Sequence, residues 1–447
     1  MTTTRTTTRT ARGARGARTA ALLAATTLTG LLAAPPAAYA QNAPAQNPTA
    51  RDGHARDTHA PDRPRLDGSG ECTFPMKKQI EGIPWSLQRV LLDELWQDTK
   101  GKGVRVAVID TGVDDVNPQL KRAVDAKAGK DFLKPDKNNP GIGDEQRGKT
   151  DGTVDEVGHG TKVAGIIAAR PADGTGFVGL APEATIIPIR QNDEKNSGKT
   201  DTMALAIEHA LAKGAQVINI SQDTTQPLSP DSTLGRAVAK AVAKGVVVVA
   251  SAGNDGMDGR LKNTYPAAFP GVLAVASSDR NNERAVFSQA GTFVGVAAPG
   301  VDIVSTVPGG GQCVDNGTSF SAPYVSGVAA LLRAKYPKWT GAQIVTRIEQ
   351  TAVRSVKGHD NYVGWGVVDP VRALADGPEP PETGPTPDPG PPRPPAPEPA
   401  HLALSETPQE RSERLATYAL GIAAVLVSVV AGTAAVIRDS RRRRAAR

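Results

Sequence analysis

The sequence predicts an α/β fold, a doubly wound parallel sheet with helices on both faces, followed by a C-terminal transmembrane helix. The first observation is a series of short β-branched runs, such as residues 104–109, which are typical of parallel strands buried on both faces. The second is the alternation of these runs with segments of helical spacing, which indicates βαβ units. The third is an uncharged apolar stretch at residues 415–437, which exceeds the roughly 20 residues that a spanning helix needs.

The strands and helices are predicted in chain order from apolar periodicity and from turn and cap residues. Thr340 is followed three residues later by Gln343, which is the pattern of a capping box at a helix start. A charged region rich in Gly, Asn and Pro, residues 126–156, is predicted to be a surface loop. The predicted strands cover residues 104–109, 185–189, 216–220, 246–250 and 272–276; helices are predicted from Leu87 to Trp96, from His159, over residues 202–213 and 232–244, from Ser319 and from Thr340.

The N-terminal 40 residues are predicted to be a signal peptide. Arginines precede an apolar segment, Ala20 to Leu32, and Ala38-Tyr39-Ala40 fits a cleavage site. The alternative is an uncleaved N-terminal anchor, but the apolar segment is too short to cross a bilayer. Residues 41–70 contain almost no large apolar side chains, so a flexible arm is expected there.

The C-terminal part of the chain predicts a membrane anchor. The predicted globular domain, residues 71–376, is followed by a Pro-rich linker at residues 377–414 and by the apolar span at residues 415–437. The arginine-rich tail, residues 438–447, is expected to stay in the cytoplasm. We therefore expect a single-pass type I protein of the cell membrane, with its globular domain outside the cytoplasm.

Composition narrows the functional classes. The net charge is +6, but much of the basic excess lies at the two ends of the chain, so it indicates membrane targeting and not nucleic-acid binding. The two cysteines and six histidines form no cluster with the spacing of metal ligands. A structural zinc site is therefore not expected, and no cofactor is predicted; a calcium requirement is left open, since no loop has a recognisable ligand pattern.

Four polar residues are predicted to meet at the carboxyl edge of the sheet. Asp110 and Asn254 follow strands, while His159 and Ser319 begin helices, and all of these positions face that edge. Ser319 would be a nucleophile, His159 its general base and Asp110 the group that orients the imidazole. Asn254 would donate its amide to an oxyanion.

Each of these residues also has a purely structural interpretation. Ser319 and His159 could be helix caps, Asp110 a turn residue and Asn254 a left-handed turn residue. Their joint occurrence in the order Asp, His, Asn, Ser favours catalysis.

The motifs resemble those of the subtilisin (S8) serine peptidases from about Ile83 to Leu374. Within that family the sequence is most similar to the mycosins, the membrane-anchored peptidases of type VII secretion. The resemblance is carried by Asp110-Thr111-Gly112, His159-Gly160-Thr161, Gly253-Asn254 and Gly317-Thr318-Ser319, and for the mycosins by residues 189–191, 265–272, 296–300 and 317–320.

This resemblance implies a subtilisin-like fold and a serine endopeptidase that acts on a protein or peptide substrate. It also implies membrane-embedded secretion machinery as a possible partner. The alternative is a structural component of a secretion complex in which proteolysis is secondary. An esterase is disfavoured because the chain has no Gly-x-Ser-x-Gly motif and the order is Asp–His–Ser.

Two segments depart from the family pattern. Lys162 stands where secreted subtilisins often have a second histidine, and Ser221-Gln222-Asp223 replaces the usual Ser-Leu-Gly type of substrate-binding segment. The bulk and charge of Gln222 and Asp223 predict poor cleavage after large apolar residues. The alternative is that Asp223 points to solvent and caps the turn toward Pro227.

Cys72 and Cys313 are predicted to form a disulfide. The chain is expected to be exported to an oxidising compartment, and only one intramolecular pairing exists. The alternative is a pair of buried thiols. Mycosins commonly carry more cysteines, so their disulfide pattern is not transferred to this chain.

Overall fold

The computed structural model describes residues 72, 74–75, 79–133, 149–193, 198–375, 379–381, 384–388 and 405–445. The predicted signal peptide, residues 1–40, and the predicted arm, residues 41–70, lie outside the described residues, as does most of the predicted Pro-rich linker.

A seven-stranded sheet forms the centre of the described domain. Its strands are β1 (Arg105–Asp110), β2 (Lys130–Asp131), β3 (Thr185–Arg190), β4 (Val217–Ile220), β5 (Val247–Ser251), β6 (Val272–Ser278) and β7 (Val294–Pro299). The strand order is β2-β3-β1-β4-β5-β6-β7, and every neighbouring pair is parallel. From β1 the chain passes to the edge strand β2, returns through β3 beside β1, and then continues outward through β4 to β7 on the other side of β1. The parallel sheet with helices on both faces confirms the predicted doubly wound fold, and the change of direction at β1 is where such sheets form a crevice at their carboxyl edge.

Helices cover both faces of this sheet. The described helices are α1 (Trp85–Gln88), α2 (Leu92–Leu95), α3 (His159–Ala168), α4 (Thr200–Ala212), α5 (Thr233–Ala243), α6 (Thr318–Lys335), α7 (Gly341–Thr351), α8 (Pro370–Leu374) and α9 (Pro408–Ala445). Helices α3, α6 and α7 contribute to one hydrophobic core, and α4 and α5 contribute to the other.

The two cores follow from the alternation of side chains along β1. Val106 and Val108 belong to the core under α3 and α6, whereas Ala107 and Ile109 belong to the core under α4 and α5. Because successive strand residues point to opposite faces, a continuous apolar run can fill both cores.

A separate antiparallel hairpin precedes α6. It consists of β8 (Ile303–Thr306) and β9 (Gln312–Asp315), and it was not predicted from the sequence. The hairpin is followed by Asn316 and Gly317 and then by α6, so it helps to position Thr318 and Ser319 at the start of that helix.

Local backbone geometry corrects two predicted elements. The single helix predicted from Leu87 to Trp96 is divided into α1 and α2 because Leu91 adopts a left-handed conformation with φ of 40°. The region predicted as a loop, residues 126–156, contains the short strand β2, which pairs with β3. In contrast, the capping box of α7 is confirmed: Gln343 N donates to Thr340 Oγ1 at 3.2 Å, and Thr340 N donates to Gln343 Oε1 at 2.8 Å.

Helix α9 contains the predicted membrane span. It is 38 residues long, its most apolar window has a mean hydropathy of 2.5, and none of that window is buried against the protein. Its first turn is capped by Thr407, whose Oγ1 accepts from Glu410 N at 3.2 Å. The helix is long and apolar enough to cross a membrane, and it extends beyond residues 415–437 on both sides.

Candidate active site

The structure brings the four predicted residues to the carboxyl edge of the sheet. Asp110 is the last residue of β1, and Asn254 follows the end of β5. His159 is the first residue of α3, and Ser319 is the second residue of α6. The edge therefore carries an acid, an imidazole, a hydroxyl and an amide from four separate elements.

Asp110 and His159 form a buried pair. His159 Nδ1 lies 2.7 Å from Asp110 Oδ1, and the same oxygen accepts from Thr111 N at 2.8 Å. The carboxylate is an acceptor, so Nδ1 carries the proton and Nε2 is left with a lone pair. Nε2 is buried and has no hydrogen-bond partner among the described residues, which suits it to accept a proton from a nucleophilic hydroxyl.

The close approach of α3 to β1 depends on Gly160. A Cβ at this position would lie 2.0 Å from the carbonyl oxygen of Gly112 and 3.1 Å from Asp110 Cβ. Any larger residue would push α3, and with it His159, away from Asp110. The Gly in the His159-Gly160-Thr161 motif is therefore required by packing.

Asp155 supports the same contact and was not predicted from the sequence. Its carboxylate accepts from Thr161 N and from Gly158 N, both at 2.8 Å, and from Thr111 Oγ1 at 2.8 Å. It therefore ties the start of α3 to the residue after Asp110. Burial raises the pKa of Asp155, and these hydrogen bonds oppose that rise. In the sequence, only its position four residues before His159 could have distinguished it from the other acids of its loop.

Ser319 and Ser221 are joined by two reciprocal hydrogen bonds. Ser319 Oγ donates to Ser221 O at 3.2 Å, and Ser221 Oγ donates to Ser319 O at 2.9 Å. The second bond is possible because Pro323 has no N–H to donate to the carbonyl of Ser319 within the helix. Pro323 is the sixth residue of α6, beyond its first turn, and it leaves this carbonyl open.

Ser221 is in turn held by a buried polar chain that sequence reasoning missed. Asn219 Nδ2 donates to Ser221 Oγ at 2.9 Å, and Ser326 Oγ donates to Asn219 Oδ1 at 2.9 Å. Asn219 lies in β4 and Ser326 in α6, so this series of hydrogen bonds fixes the position of Ser319 relative to the sheet. A polar residue within the apolar run of β4 was the available sequence signal.

Asn254 is oriented by the residue that precedes Ser319. Its Oδ1 accepts from Thr318 N at 2.9 Å and from Thr318 Oγ1 at 3.0 Å. Because both bonds use the oxygen, the amide Nδ2 is the group left to donate to a ligand. The N–H of Ser319 lies in the first turn of α6, where backbone donors have no partner within the helix.

A profile of the subtilase family (Peptidase_S8) matches residues 101–366. The chain belongs to the subtilase family. Subtilisin E of Bacillus subtilis (strain 168) is 37% identical over 297 residues, covering 66% of this chain and 72% of that protein. Mycosin-1 of Mycolicibacterium smegmatis (strain ATCC 700084 / mc(2)155) is 35% identical over 351 residues, covering 66% of this chain and 74% of that protein.

Solved structures of mycosins share this subtilase fold. The structure described as MycP3 protease from the type VII (ESX-3) secretion system superposes with a TM-score of 0.58 at 34% identity, covering 67% of this chain and 91% of that chain. MycP1 from the ESX-1 type VII secretion system superposes with a TM-score of 0.59 at 33% identity, covering 73% of this chain and 92% of that chain. The predicted relationship to subtilisin-like peptidases and to mycosins is confirmed.

The predicted substrate-binding segment of this subtilase follows β4. Ser221 and Gln222 are fully buried, and both amide atoms of Gln222 lack a hydrogen-bond partner among the described residues. Asp223 is half-buried, and its carboxylate lies beside Gly253.

The disulfide between Cys72 and Cys313 is present in the structure, with Cα atoms 5.9 Å apart. It joins the N-terminal segment to β9, six residues before Ser319. Phe74 of that segment lies against the start of α3, since a Cβ at Gly158 would be 3.0 Å from its ring. The disulfide therefore holds a phenylalanine next to the helix that begins with His159.

Lys162, at the position of the departure from other subtilisins, forms a buried ion pair. Its Nζ lies 2.6 Å from Asp315 Oδ2 and 5.8 Å from the centre of the Phe320 ring. The same ring lies 5.4 Å from the His159 ring. The pair thus connects α3 to the end of β9.

No group of three or more His, Cys, Asp or Glu side chains that could hold a metal ion occurs within the described part of the chain.

Proposed function

We propose that the protein is a membrane-anchored serine endopeptidase that acts outside the cytoplasm through Asp110, His159 and Ser319, with Asn254 as an oxyanion donor. The observation that carries this proposal is the buried contact of 2.7 Å between His159 Nδ1 and Asp110 Oδ1, which leaves Nε2 as the base. Membership of the subtilase family supports it.

The proposed reaction begins when Ser319 Oγ attacks the carbonyl carbon of the scissile peptide bond. His159 Nε2 takes the hydroxyl proton, and Asp110 stabilises the imidazolium that forms. The oxyanion receives hydrogen bonds from Asn254 Nδ2 and from the backbone N–H of Ser319. His159 then protonates the leaving amine as the C–N bond breaks, and water hydrolyses the acyl-enzyme by the same steps in reverse order.

The Ser319 hydroxyl is bonded to Ser221 and not to His159. Hydrogen bonds between catalytic groups are often formed only when substrate is bound. We therefore propose that the substrate carbonyl draws Ser319 Oγ from Ser221 O toward the imidazole.

Hydrolysis of a peptide library by the full chain in detergent tests this mechanism. Ser319→Ala is expected to lower kcat by about 10⁶-fold, Asp110→Asn by about 10⁴-fold, and Asn254→Ala by about 10²–10³-fold. Ser355→Ala, at an exposed serine, is the control and should leave kcat unchanged. Normal hydrolysis by Ser319→Ala would contradict the assignment.

We propose that α9 anchors the enzyme, with the peptidase domain outside and the Arg441–Arg444 cluster inside. The helix is apolar, and arginines on one side retain that side in the cytoplasm. Residues 384–388 are held to the domain, because Thr386 N donates to Gln350 Oε1 at 2.7 Å and Arg354 pairs with Asp388 at 3.0 Å. A protease added to intact cells should therefore release the domain by cutting between Asp388 and Pro408. Digestion of an epitope on the tail from outside would reverse the proposed orientation.

We propose a role in type VII secretion, because the similar structures include a serine protease described as an essential component of the type VII (ESX-1) secretion system. A structural role for the fold is the second candidate, and it is favoured by the Ser319 hydroxyl being engaged by Ser221. Secretion by cells that carry only a Ser319→Ala copy separates the two. Secretion that persists without the catalytic hydroxyl would favour the structural role.

A further inference from the structure

Helix α3, which begins with the proposed base His159, is held along one side by strand β8. Thr306 Oγ1 donates to Thr161 O at 2.9 Å. The approach is close because α3 has a glycine at this point: a Cβ on Gly165 would lie 2.2 Å from Thr306 Oγ1. These contacts join α3 to the first strand of the hairpin that precedes the proposed nucleophile, Ser319.

Lys162 joins the same helix to the second strand of the hairpin. It is the fourth residue of α3, and its side chain is 8% exposed. Its Nζ lies 2.6 Å from Asp315 Oδ2, and Asp315 Oδ1 accepts from Asn316 N at 2.9 Å. The ammonium group therefore contacts the last residue of β9, which lies four residues before Ser319.

The ammonium group of Lys162 also lies over the residue that follows Ser319. Its Nζ is 5.8 Å from the centre of the Phe320 ring, within the range of a cation–π contact. The centre of this buried ring is 5.4 Å from that of His159. Lys162 thus contacts a residue on each side of the proposed nucleophile, and it lies on the helix that begins with the proposed base.

The ion pair of Lys162 and Asp315 is better suited to fixing geometry than to stabilising the fold. Both side chains are buried, and the cost of removing two charges from water offsets their mutual attraction. A charge-assisted hydrogen bond, however, has a preferred length and direction, whereas apolar packing is non-directional. The pair therefore holds α3 at a defined position relative to the end of β9.

We propose that Lys162 is a positioning residue. Through Asp315 and Phe320 it fixes the start of α6 against α3, and so sets the distance over which Ser319 Oγ passes its proton to His159 Nε2. Proton transfer requires these two atoms to come within hydrogen-bond reach, and a misplacement of about 1 Å can cost about 10²-fold in rate. This inference rests on the proposed endopeptidase function and names a residue on which the alignment of its site depends.

The test replaces the ion pair by an apolar pair, Lys162→Met together with Asp315→Leu. Such a replacement of a buried pair is often neutral or stabilising, so the unfolding temperature should not fall. We expect kcat to fall by about 10-fold to 100-fold with KM unchanged, because the variant binds substrate but aligns the reacting groups poorly. The rate constant of labelling by a fluorophosphonate should fall by the same factor.

The measurements use the full chain in phospholipid nanodiscs and a peptide that the wild type hydrolyses. Each kcat is calculated per active site, titrated by fluorophosphonate labelling to completion, so that a loss of folded protein does not lower it. Asp315→Asn is a second variant, which keeps the volume of the side chain and weakens the contact. It should lower kcat by a smaller factor with KM unchanged, and it provides the test if the apolar pair does not fold.

A matched control removes another ion pair that joins two helices. Lys240 Nζ lies 2.6 Å from Glu208 Oε2, which connects α5 to α4, and neither helix carries a residue of the proposed site. Lys240→Met together with Glu208→Leu makes the same kind of change and should leave kcat and KM at the wild-type values.

Three results would overturn the inference. Wild-type kcat per titrated site in the folded apolar pair, or in Asp315→Asn, would refute the role of Lys162 and leave the endopeptidase function intact. A loss confined to the unfolding temperature or to the number of titrated sites would show that the pair is structural only. Absence of both labelling and hydrolysis in the wild type would refute the proposed function and this inference together.

Discussion

At the residue scale, the chemistry depends on polar side chains of the buried His159 and the half-buried Asn254, each of which has one polar atom held by a partner and the other available. Asp110 occupies Nδ1 of His159, and Thr318 occupies the oxygen of Asn254. The available atoms, Nε2 of His159 and Nδ2 of Asn254, are a base and a donor, which is what acyl transfer requires. Each orienting partner is adjacent in sequence to a residue of the proposed site or belongs to it.

Glu349 of α7 provides a test of burial at a single residue. Burial raises the pKa of its carboxyl to about 7, and the side chain lies against β7, where a Cβ on Gly295 would be 3.0 Å from its Oε1. The folded state therefore binds the proton more tightly than the unfolded state. Below pH 4.5, the unfolded value, Glu349 is protonated in both states and its titration does not affect the free energy of unfolding. As the pH rises from 4.5 to about 7, the unfolded state loses the proton first, so the free energy of unfolding decreases.

Glu349→Gln is accordingly expected to stabilise the protein at pH 8 by up to about 3 kcal/mol and to have little effect at pH 4. Thermal unfolding of the full chain at the two pH values measures the difference. The control is Glu94→Gln at an exposed position. An equal effect of Glu349→Gln at both pH values would contradict the raised pKa.

The sequence predicted the residues of the proposed site that belong to motifs, but not those that support them. Asp110, His159, Asn254 and Ser319 stand at ends of predicted elements, where topology alone brings them to one edge. Asp155 acts through hydrogen bonds to residues on both sides of the α3 start, and these depend on the folded path of a loop. Such partners cannot be read from periodicity, because the loop has none.

At the element scale, α6 carries the proposed nucleophile and lacks one backbone hydrogen bond, the one that the carbonyl of Ser319 would accept from residue 323. Pro323 leaves the carbonyl of Ser319 open, and Ser221 at the end of β4 fills the gap at 2.9 Å. The helix is thereby joined to the strand segment that also carries Asp223. Loss of Ser221 Oγ would leave a buried carbonyl without a donor.

This arrangement predicts coupling between Ser221 and Pro323. Ser221→Ala should destabilise the fold by about 1–3 kcal/mol, because a buried acceptor loses its partner. Pro323→Ala supplies an N–H to the same carbonyl, so adding it to Ser221→Ala should recover about 1 kcal/mol more than the sum of the two single effects. Denaturant unfolding of the four proteins measures this coupling.

Ser229→Ala, at a hydroxyl distant in the sequence from α6, provides the control for that cycle. Its effect should add to that of Pro323→Ala without coupling. If the effects of Ser221→Ala and Pro323→Ala on the free energy of unfolding were also additive, Ser221 Oγ would not be the hydrogen-bond donor of the Ser319 carbonyl.

Element types were predicted better than element boundaries, and the failures have local causes. Buried strands such as β1 and β4 are rich in β-branched residues, which indicates their type. Leu91 continues a helical apolar pattern, but its left-handed backbone precedes α2 and separates it from α1, and no glycine or proline in the sequence indicates this break. β2 has two residues and exists through pairing with β3, so its own sequence carries no strand signal.

At the scale of the whole molecule, one covalent link connects the N-terminal segment to the region of the nucleophile. Cys72 and Cys313 are separated by 241 residues. In the chain-entropy account, closing so long a loop contributes on the order of 5 kcal/mol. Substitution of both cysteines by serine should therefore lower the unfolding temperature strongly and release Phe74 from Gly158.

Alkylation of the denatured, unreduced protein is the direct check on this link. No free thiol should react before reduction, and two should react afterwards. The double serine variant gives the background of the assay. Two reactive thiols without reduction would show that the cysteines are buried but not joined.

The central claim, that Ser319 is a nucleophile activated by His159, is tested most directly by peptide mapping after reaction with a fluorophosphonate. The account predicts one covalent adduct, on Ser319, that is absent from His159→Ala and Ser319→Ala and unchanged in Ser355→Ala. An adduct on a different serine, or labelling that persists in Ser319→Ala, would contradict it.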